Sequence, residues 1–387
     1  MANKNYLFLL GRNIELSKAE IFSYFEKQGK KVVFLDSVSN ALVVELDSEI
    51  EIKEINKLGG TIAIGNIIFS GSLESILKQI SGNPIYFGKK NKFSYTLLSF
   101  AEENSVNNVY SAMRENFRTE KLKAQYRMIR GTVKMQGGEL AIGSPSRIER
   151  ELAYFLFKKK EEYCFGVIGG VFDAKESERR DMGKPVRREE LAISPRLAKI
   201  LINLSGVKPG ETLLDPFCGI GVILGEALLG GINVVGVDAD GTAVEGARKN
   251  VDWLKKNYKI KGSGKINLGD SRNFSFGAVH GAATEPALGE LLKKVPEKEK
   301  ARKIIGDFER LIIGVLRNMK KSIKKGGRIA FTAPSIKARG GIVSCNITRI
   351  CKEAGLRIYN IPGVNFPIRE YRKEQVIGRE IFLLVFS

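Results

Sequence analysis

Histidine is almost absent from this chain of 387 residues; His280 is the only one. Acid–base catalysis by imidazole therefore has a single candidate. Cysteine is also scarce. Cys164, Cys218, Cys345 and Cys351 form no CxxC pair. With one histidine and no paired thiols, a structural zinc site is not expected, and the thiols read as reduced core residues. Long apolar runs are missing too. The longest, Tyr6 to Leu10 and Ile381 to Phe386, fall far short of the ~20 residues that a membrane helix needs. The first residues, with Asn3, Lys4 and Asn5, lack the apolar core of a signal peptide. A cytoplasmic protein with no membrane partner is the expectation. Acidic residues are under-represented: 43 Asp plus Glu face 63 Lys plus Arg, a formal charge of +20. An excess of that size points to a polyanionic partner, a solvated basic surface being the plainer alternative.

Apolar residues make up 43% of the chain, ample for real cores. The length implies two or three domains, because single cores rarely grow past about 250–300 residues. Residues 1–71 read as a small α+β (ferredoxin-like) unit: strand 6–10, a helix from Ser17 to about Gln28, strands 31–35 and 41–46, a short helix 50–58 and a strand 61–69. Residues 72–172 read as a second α+β unit, with helices at 73–80 and 106–117, strand 93–100, the apolar segment Met128 to Met135, a helix Arg147 to Phe157 and a strand 163–171. Residues 173–193 are highly charged and hold Gly183 and Pro185, which suggests an exposed connector.

From Ser194 to the end at 387 the pattern becomes regular. Ser194-Pro195 is an N-cap followed by proline at the first helical position. Leu197, Ile200, Leu201 and Leu204 line one helical face. Strands are expected at 211–215, 232–238, 265–268, 278–284, 328–333, 356–361 and 380–386. Helices are expected at 221–229, 242–258, within 297–325 and at 342–354. An alternating β/α order with two final strands not separated by a helix implies a doubly wound α/β sheet. It is mostly parallel, with one antiparallel strand at or near its edge.

The residues at the strand ends carry the chemistry. Leu213-Leu214-Asp215-Pro216-Phe217-Cys218-Gly219-Ile220-Gly221 runs a strand through an acid into a glycine turn, and the next strand ends at Asp238. Glycines allow close backbone approach to a ligand, and Asp238 stands where a ribose diol needs an acceptor. Asp240 is the better cap for the helix that follows. A pyrophosphate requires a helix N-terminus free of carboxylate, and Asp215 would repel it. A cationic donor without phosphates suits the turn, and S-adenosylmethionine is one. Strand four ends in Thr284-Glu285-Pro286-Ala287-Leu288-Gly289. If strands one and four flank the point where strand order reverses, the two turns are neighbours.

The glycine turn resembles the donor motif of class I methyltransferases, and Asp-Pro-Phe-Cys-Gly is close to the form in those that methylate exocyclic amines. Arg180-Asp181-Met182-Gly183-Lys184-Pro185 with Ile193-Ser194-Pro195-Arg196-Leu197-Ala198, the opening Tyr6-Leu-Phe-Leu-Leu-Gly-Arg-Asn and the closing Gly378-Arg-Glu-Ile-Phe are similar to the THUMP-domain tRNA guanine-N2 methyltransferases that act at position 10. That resemblance implies a class I (Rossmann-like) methyltransferase domain of seven strands at 194–387. It also implies a THUMP-like RNA-binding domain at 72–172 that docks the acceptor end of tRNA. It places S-adenosylmethionine against Asp215, Phe217, Gly219, Gly221, Asp238 and Asp270. It gives Glu285, Pro286 and Leu288 the place of the family's Asp/Asn-Pro-Pro-aromatic turn. There the carboxylate and a backbone carbonyl would hold the amine's hydrogens and point its lone pair at the methyl. Glu285 is one methylene longer than the family's Asp, Ala287 replaces the second proline, and Leu288 replaces the aromatic. Phe366 or Tyr371 could supply a stacking face instead. Some members of that family need a small activating subunit, which this sequence neither demands nor excludes.

Arg114, Arg118, Lys121, Lys123, Arg127 and Arg130, with Lys134, and with Phe117 and Tyr126 interleaved, suit phosphate binding across a fold. A solvated helix face is the plainer alternative. Other functions fit less well. A nicotinamide-dependent oxidoreductase needs a phosphate-friendly turn, and a cytosine-C5 methyltransferase needs a cysteine where Glu285-Pro286 and Ala333-Pro334 stand. A related amino-methyltransferase for another RNA or DNA target stays open. So does a tRNA-binding homologue that has lost catalysis.

Overall fold

The computed structural model describes all residues except 1–2, 129–131, 137–139, 143–147, 149–151, 189–192, 291, 293, 372–374 and 387. The chain divides into two compact units. One comprises residues 1–14, 30–56 and 60–174; the other comprises 15–29, 57–59 and 175–387.

The first unit is built on strands β1 (Lys4–Leu10), β2 (Val32–Val38), β3 (Ala41–Leu46), β4 (Thr61–Gly71), β5 (Lys92–Phe100), β6 (Lys123–Tyr126), β7 (Thr132–Lys134), β8 (Leu140–Ile142), β9 (Leu152–Lys159) and β10 (Glu162–Val171). Eight of them form one sheet in the order β2-β3-β1-β4-β10-β9-β5-β6, and β7 pairs with β8. The expectation of separate units at 1–71 and 72–172 differs from this. β4 pairs with β10 from Ala63↔Val171 to Gly71↔Tyr163, and one apolar cluster unites Leu7, Leu9 and Val43 with Leu98, Phe155 and Phe157. The helix expected at 147–157 is also corrected: residues 152–159 are strand β9. Its alternate residues face two cores, with Phe155 and Phe157 in one and Tyr154 and Leu156 in the other. A strand covered on both faces shows no polar alternation, so its apolar run passes for a buried helix.

The second unit carries β11 (Thr212–Asp215), β12 (Asn233–Asp238), β13 (Gly264–Leu268), β14 (Gly281–Thr284), β15 (Arg328–Ala338), β16 (Gly341–Ser344), β17 (Leu356–Ile358), β18 (Ile368–Glu370) and β19 (Ile377–Phe386). The main order is β13-β12-β11-β14-β15-β19-β17. β11 to β15 run parallel to one another, and β19 lies antiparallel between β15 and β17. The doubly wound reading is thus met, with the antiparallel strand one place in from the edge. Ser194 caps the helix Pro195–Leu204 through Leu197 N–H, at 3.2 Å. Asp240 caps Gly241–Asn257 through Thr242 and Ala243, at 2.9 and 3.3 Å. Two local expectations change. The connector at 173–193 contains a helix, Ala174–Gly183. The helix expected at 342–354 begins at Ile347, capped by Asn346, because residues 341–344 pair with β15 as β16. Among the described residues no helix is long and apolar enough to cross a membrane.

Residues 15–29 belong to this second unit although they lie 160 residues and more from most of it in sequence. Leu16 and Ala19 enter the same core as Ile200, Leu201 and Leu204. Burial of their polar neighbours is matched by specific bonds. The Glu20 carboxylate, fully buried, accepts from Gly59 N–H at 2.7 Å and from Asn203 Nδ2 at 2.8 Å. Asn203 also donates to Lys57 O at 2.9 Å and accepts from Lys27 Nζ at 2.9 Å. Desolvation pulls the Lys27 ammonium down to about 8. Asn203→Ala removes the centre of this network and leaves a buried carboxylate short of a donor. The expected loss in urea denaturation is about 2–4 kcal/mol; a loss below about 0.5 kcal/mol would show that the network does not tie the helix down.

Candidate active site

The site lies at the carboxyl ends of β11 and β14. Parallel pairing of Leu213↔Gly281 and Leu214↔Ala282 brings the turns after the two strands together. Asp215 ends β11 and is 1% exposed. Its Oδ1 accepts from Thr284 Oγ1 at 2.6 Å and from Phe217 N–H at 3.2 Å. Burial pushes this carboxyl up to about 7, and the nearby Asp238 and Glu285 charges push the same way. The backbone turns on Gly219 (φ +50°) and Gly221 (φ +82°), and the second glycine opens the helix Val222–Leu229. A Cβ at 219 would meet no atom within 4 Å, so open space faces that backbone.

Asp238, at the end of β12, accepts from Gly219 N–H at 2.8 Å and from Asp240 N–H at 3.0 Å. Each oxygen keeps a further acceptor site, since a carboxylate offers about four. Asp270 follows β13. It pairs with Arg272 through Nε at 3.0 Å and accepts Arg272 N–H at 2.9 Å. These bonds hold its carboxyl down at about 2. Ser271 ties this turn to the first by donating to Pro216 O at 2.6 Å. Phe217 is half-buried, against the core that holds Val237 and Phe276.

A cleft in this unit is lined by Asp215, Phe217, Gly219, Ile223 and Glu285 together with Arg188. The glycine turn and the turn after β14 thus share one cavity. Arg188 is bonded to Asp240 at 2.9 Å, and among the described residues the bonds to Asp215 come from neutral donors, Thr284 and Phe217. A buried carboxylate with only neutral donors, beside open glycine backbone, fits a small cationic nucleoside.

Glu285 has an environment that its sequence position did not reveal. Both oxygens are held by Arg379 of β19, Nε to Oε2 at 2.8 Å and Nη2 to Oε1 at 2.9 Å, and Thr332 Oγ1 lies 3.3 Å from Oε2. Pro286 is buried, Ala287 exposed and Leu288 half-buried. Tyr371 is 38% exposed and packs beside Gly378, next to Arg379, whereas Phe366 leans on the core. His280 precedes β14, at the opposite end of the sheet, where Nδ1 accepts from Thr212 N–H at 3.1 Å. Burial raises the Cys218 thiol well above its ordinary value. Cys218 is 5% exposed and packs in the core.

Of the basic candidates of the first unit, Arg114 and Arg118 sit on the helix Glu103–Thr119, Lys121 in the turn after it, Lys123 on β6 and Arg127 just past β6. Arg114, Arg118, Lys121, Lys123 and Arg127 are exposed, and Arg118 bonds Glu115 at 2.7 Å. Arg130 lies outside the described residues, as does the side chain of Lys134. The aromatic residues read as interleaved with them are packing residues: Phe117 is 2% exposed, and Tyr126 contacts the rings of Tyr95 and Tyr110.

Asp215 gives a direct test of the electrostatics. Its folded-state pKa lies above its ordinary value of 3.8, so the folded protein holds the proton more tightly than the unfolded chain. Its contribution to stability is greatest below about pH 4 and declines as pH rises toward 7, by on the order of 4 kcal/mol. Asp215→Asn removes that decline. Urea denaturation across the range should show a flatter pH profile for the variant, and parallel profiles would contradict the buried-carboxylate assignment.

Residues 185–339 match the UPF0020 family model, described as an RMKL-like methyltransferase domain. A relative named tRNA (guanine(10)-N2)-dimethyltransferase from Methanothermobacter thermautotrophicus is 37% identical over 144 residues, 37% of this chain and 39% of that protein. One of the same name from Pyrococcus abyssi is 32% identical over 122 residues, 31% of this chain and 34% of that protein. The chain therefore aligns with well under half the length of these relatives. Among solved structures, TrmN from Thermus thermophilus is similar over 99% of this chain and 100% of its own, with a TM-score of 0.52 at 16% identity; this likeness bears on the fold alone. The second unit has a class I methyltransferase fold, and its residues 185–339 are similar to the UPF0020, RMKL-like methyltransferases.

Proposed function

We propose that this protein transfers a methyl group from S-adenosylmethionine to the exocyclic N2 amine of a guanosine in tRNA, at position 10 as in the relatives' names. The observation that carries the reading is the shared cleft, with Asp215 and Gly219 on one side and Glu285 on the other. S-adenosylmethionine supplies an activated methyl on a sulfonium. Asp215 would face its methionine ammonium, a pairing that favours the ionised carboxylate. Asp238 would accept from the ribose hydroxyls through its remaining acceptor sites. Gly219 and Gly221 let the backbone approach closely. Asp270 stands where an adenine amine would lie, and its pairing with Arg272 leaves it an orienting role at most.

On the acceptor side, Glu285 and the carbonyl of Pro286 would each take one amine hydrogen. Held so, the nitrogen lone pair points toward the donor. The nitrogen forms a bond to the methyl carbon, the carbon–sulfur bond pair stays with sulfur, and the surplus proton leaves the nitrogen for solvent. No strong base is required, because that proton is acidic once the methyl has arrived. Alignment supplies most of the rate. Leu288 gives apolar contact where an aromatic would stack, a loss of roughly 1–3 kcal/mol per base that Tyr371 can partly offset. The exposed basic residues within 72–172, the segment read as THUMP-like, would meet the phosphates of a cytoplasmic tRNA.

A second reading, a tRNA-binding protein without turnover, is favoured by one observation: Arg379 already occupies both Glu285 oxygens. Nucleoside mass spectrometry separates the two. Incubation of the protein with unmodified tRNA and S-adenosylmethionine should yield N2-methylguanosine or its dimethyl form. Glu285→Ala should lower the yield by at least about 100-fold while calorimetry shows donor affinity within twofold of wild type. A wild type that binds the donor and forms no product would favour the second reading.

A further inference from the structure

The ion pair between Glu285 and Arg379 joins residues 94 positions apart, and the sheet topology is what makes it possible. Thr284 of β14 is level with Phe331 of β15, and Pro334, three residues farther along β15, pairs with Arg379 of β19. β15 runs beyond the carboxyl edge of the parallel strands, and β19 descends beside it. Insertion of β19 next to β15 therefore places a guanidinium over the turn that follows β14. The neighbouring carboxylate, Glu380, is held by Arg369 at 3.0 Å and Ser344 at 2.9 Å, so it is already bonded away from the Arg379 fork.

The bonds to Glu285 can be counted. A carboxylate has about four acceptor sites. Arg379 Nε, Arg379 Nη2 and Thr332 Oγ1 take three, and one remains. An exocyclic amine has two hydrogens, and the adjoining Pro286 carbonyl can take the other. Glutamate also has one more rotatable bond than aspartate, hence more orientations to lose. A two-pronged arginine contact fixes a carboxylate in plane and direction, which a single-point ammonium cannot do.

We propose that Arg379 is a positioning residue for the methyl acceptor. It clamps the longer Glu285 side chain so that its one unused acceptor site faces the amine. This inference rests on the amino-methyltransferase reading of the site and goes beyond it by assigning a residue from the last strand. The clamp makes a glutamate workable in a turn where the resemblance implies aspartate or asparagine, and it explains why the ion pair does not by itself imply an inactive site.

The test is steady-state methylation of tRNA by the full chain, with donor affinity measured by calorimetry. Arg379→Ala is expected to lower kcat about 100-fold, with donor Kd within twofold and KM for tRNA little changed. Arg379→Lys keeps the charge without the fork and should recover only part of the loss. Methylguanidinium added to Arg379→Ala should restore activity in a saturable way. In a Glu285→Ala background, Arg379→Ala should cost nothing further, because it acts through that carboxylate; this double variant removes both charges together and guards against a misfolded single variant. An active wild type whose Arg379→Ala variant keeps its kcat, or losses that multiply in the double variant, would overturn the positioning role and leave the methyltransferase reading intact. A wild type that binds the donor and makes no methylated guanosine would overturn both.

Discussion

The hydrogen bond between Thr284 and Asp215, 2.6 Å long and buried, marks the constraint on which the site depends. It exists because β11 and β14 are adjacent and parallel although 65 residues separate the end of one from the start of the other. Helices and two further strands fill that interval and wind away to one side. The chain then returns to the other flank of β11, which makes this the place where strand order reverses. Two loops that meet nowhere in sequence share one cleft there. A buried carboxylate bonded by the neutral donors Thr284 and Phe217 and a second carboxylate, Glu285, just past the neighbouring strand end are brought together by that single adjacency. The desolvation of Asp215 is its energetic cost, and a cationic ligand is what would offset it.

The other strand that shapes the site is β19. A purely parallel wind would leave the turn after β14 flanked only by β15. Antiparallel insertion of the last strand brings Arg379 to the carboxyl edge and closes Glu285 in a fork. The same long pairing, nine residue pairs from Arg328↔Val385 to Ile336↔Ile377, anchors the edge strand β17. Stability of the sheet and orientation of the Glu285 carboxylate thus draw on one element. At the far end of the chain, the helix Ile14–Glu26 ties early sequence into the same unit through Glu20 and Asn203 and through Glu26, which accepts from Tyr359 at 2.8 Å.

Much of this was legible in the sequence where a local signal matched the final environment. The Asp215–Gly221 turn, the Ser194 and Asp240 caps and the β/α alternation all depend on residues within a few positions of one another. The adjacency of strands one and four followed from topology, not propensity. What escaped was non-local or two-sided. β9 is buried on both faces, so its Tyr154-Phe155-Leu156-Phe157 run lacks the period that marks a strand. The helix that begins at Ile14 buries residues around much of its surface, Glu20 among them, and no local signal names the distant partner Asn203. Arg379 stands in the closing Gly378-Arg-Glu-Ile-Phe stretch, which the sequence marks only as a likeness, and its partner is fixed by a register that no spacing encodes. Phe117 and Tyr126 looked like part of a basic, phosphate-facing surface because they are interleaved with basic residues, whereas Phe117 is buried and Tyr126 packs on the rings of Tyr95 and Tyr110.

The central claim is that donor and acceptor meet between the two turns. A crystal structure of the protein with S-adenosylhomocysteine tests it most directly. The account predicts the ligand's amino group near Asp215, its ribose on Asp238, and its sulfur turned toward the Glu285-Pro286 turn. A ligand bound with its sulfur away from that turn, for example in the apolar cleft lined by Ile304, Phe308 and Leu311, would contradict it.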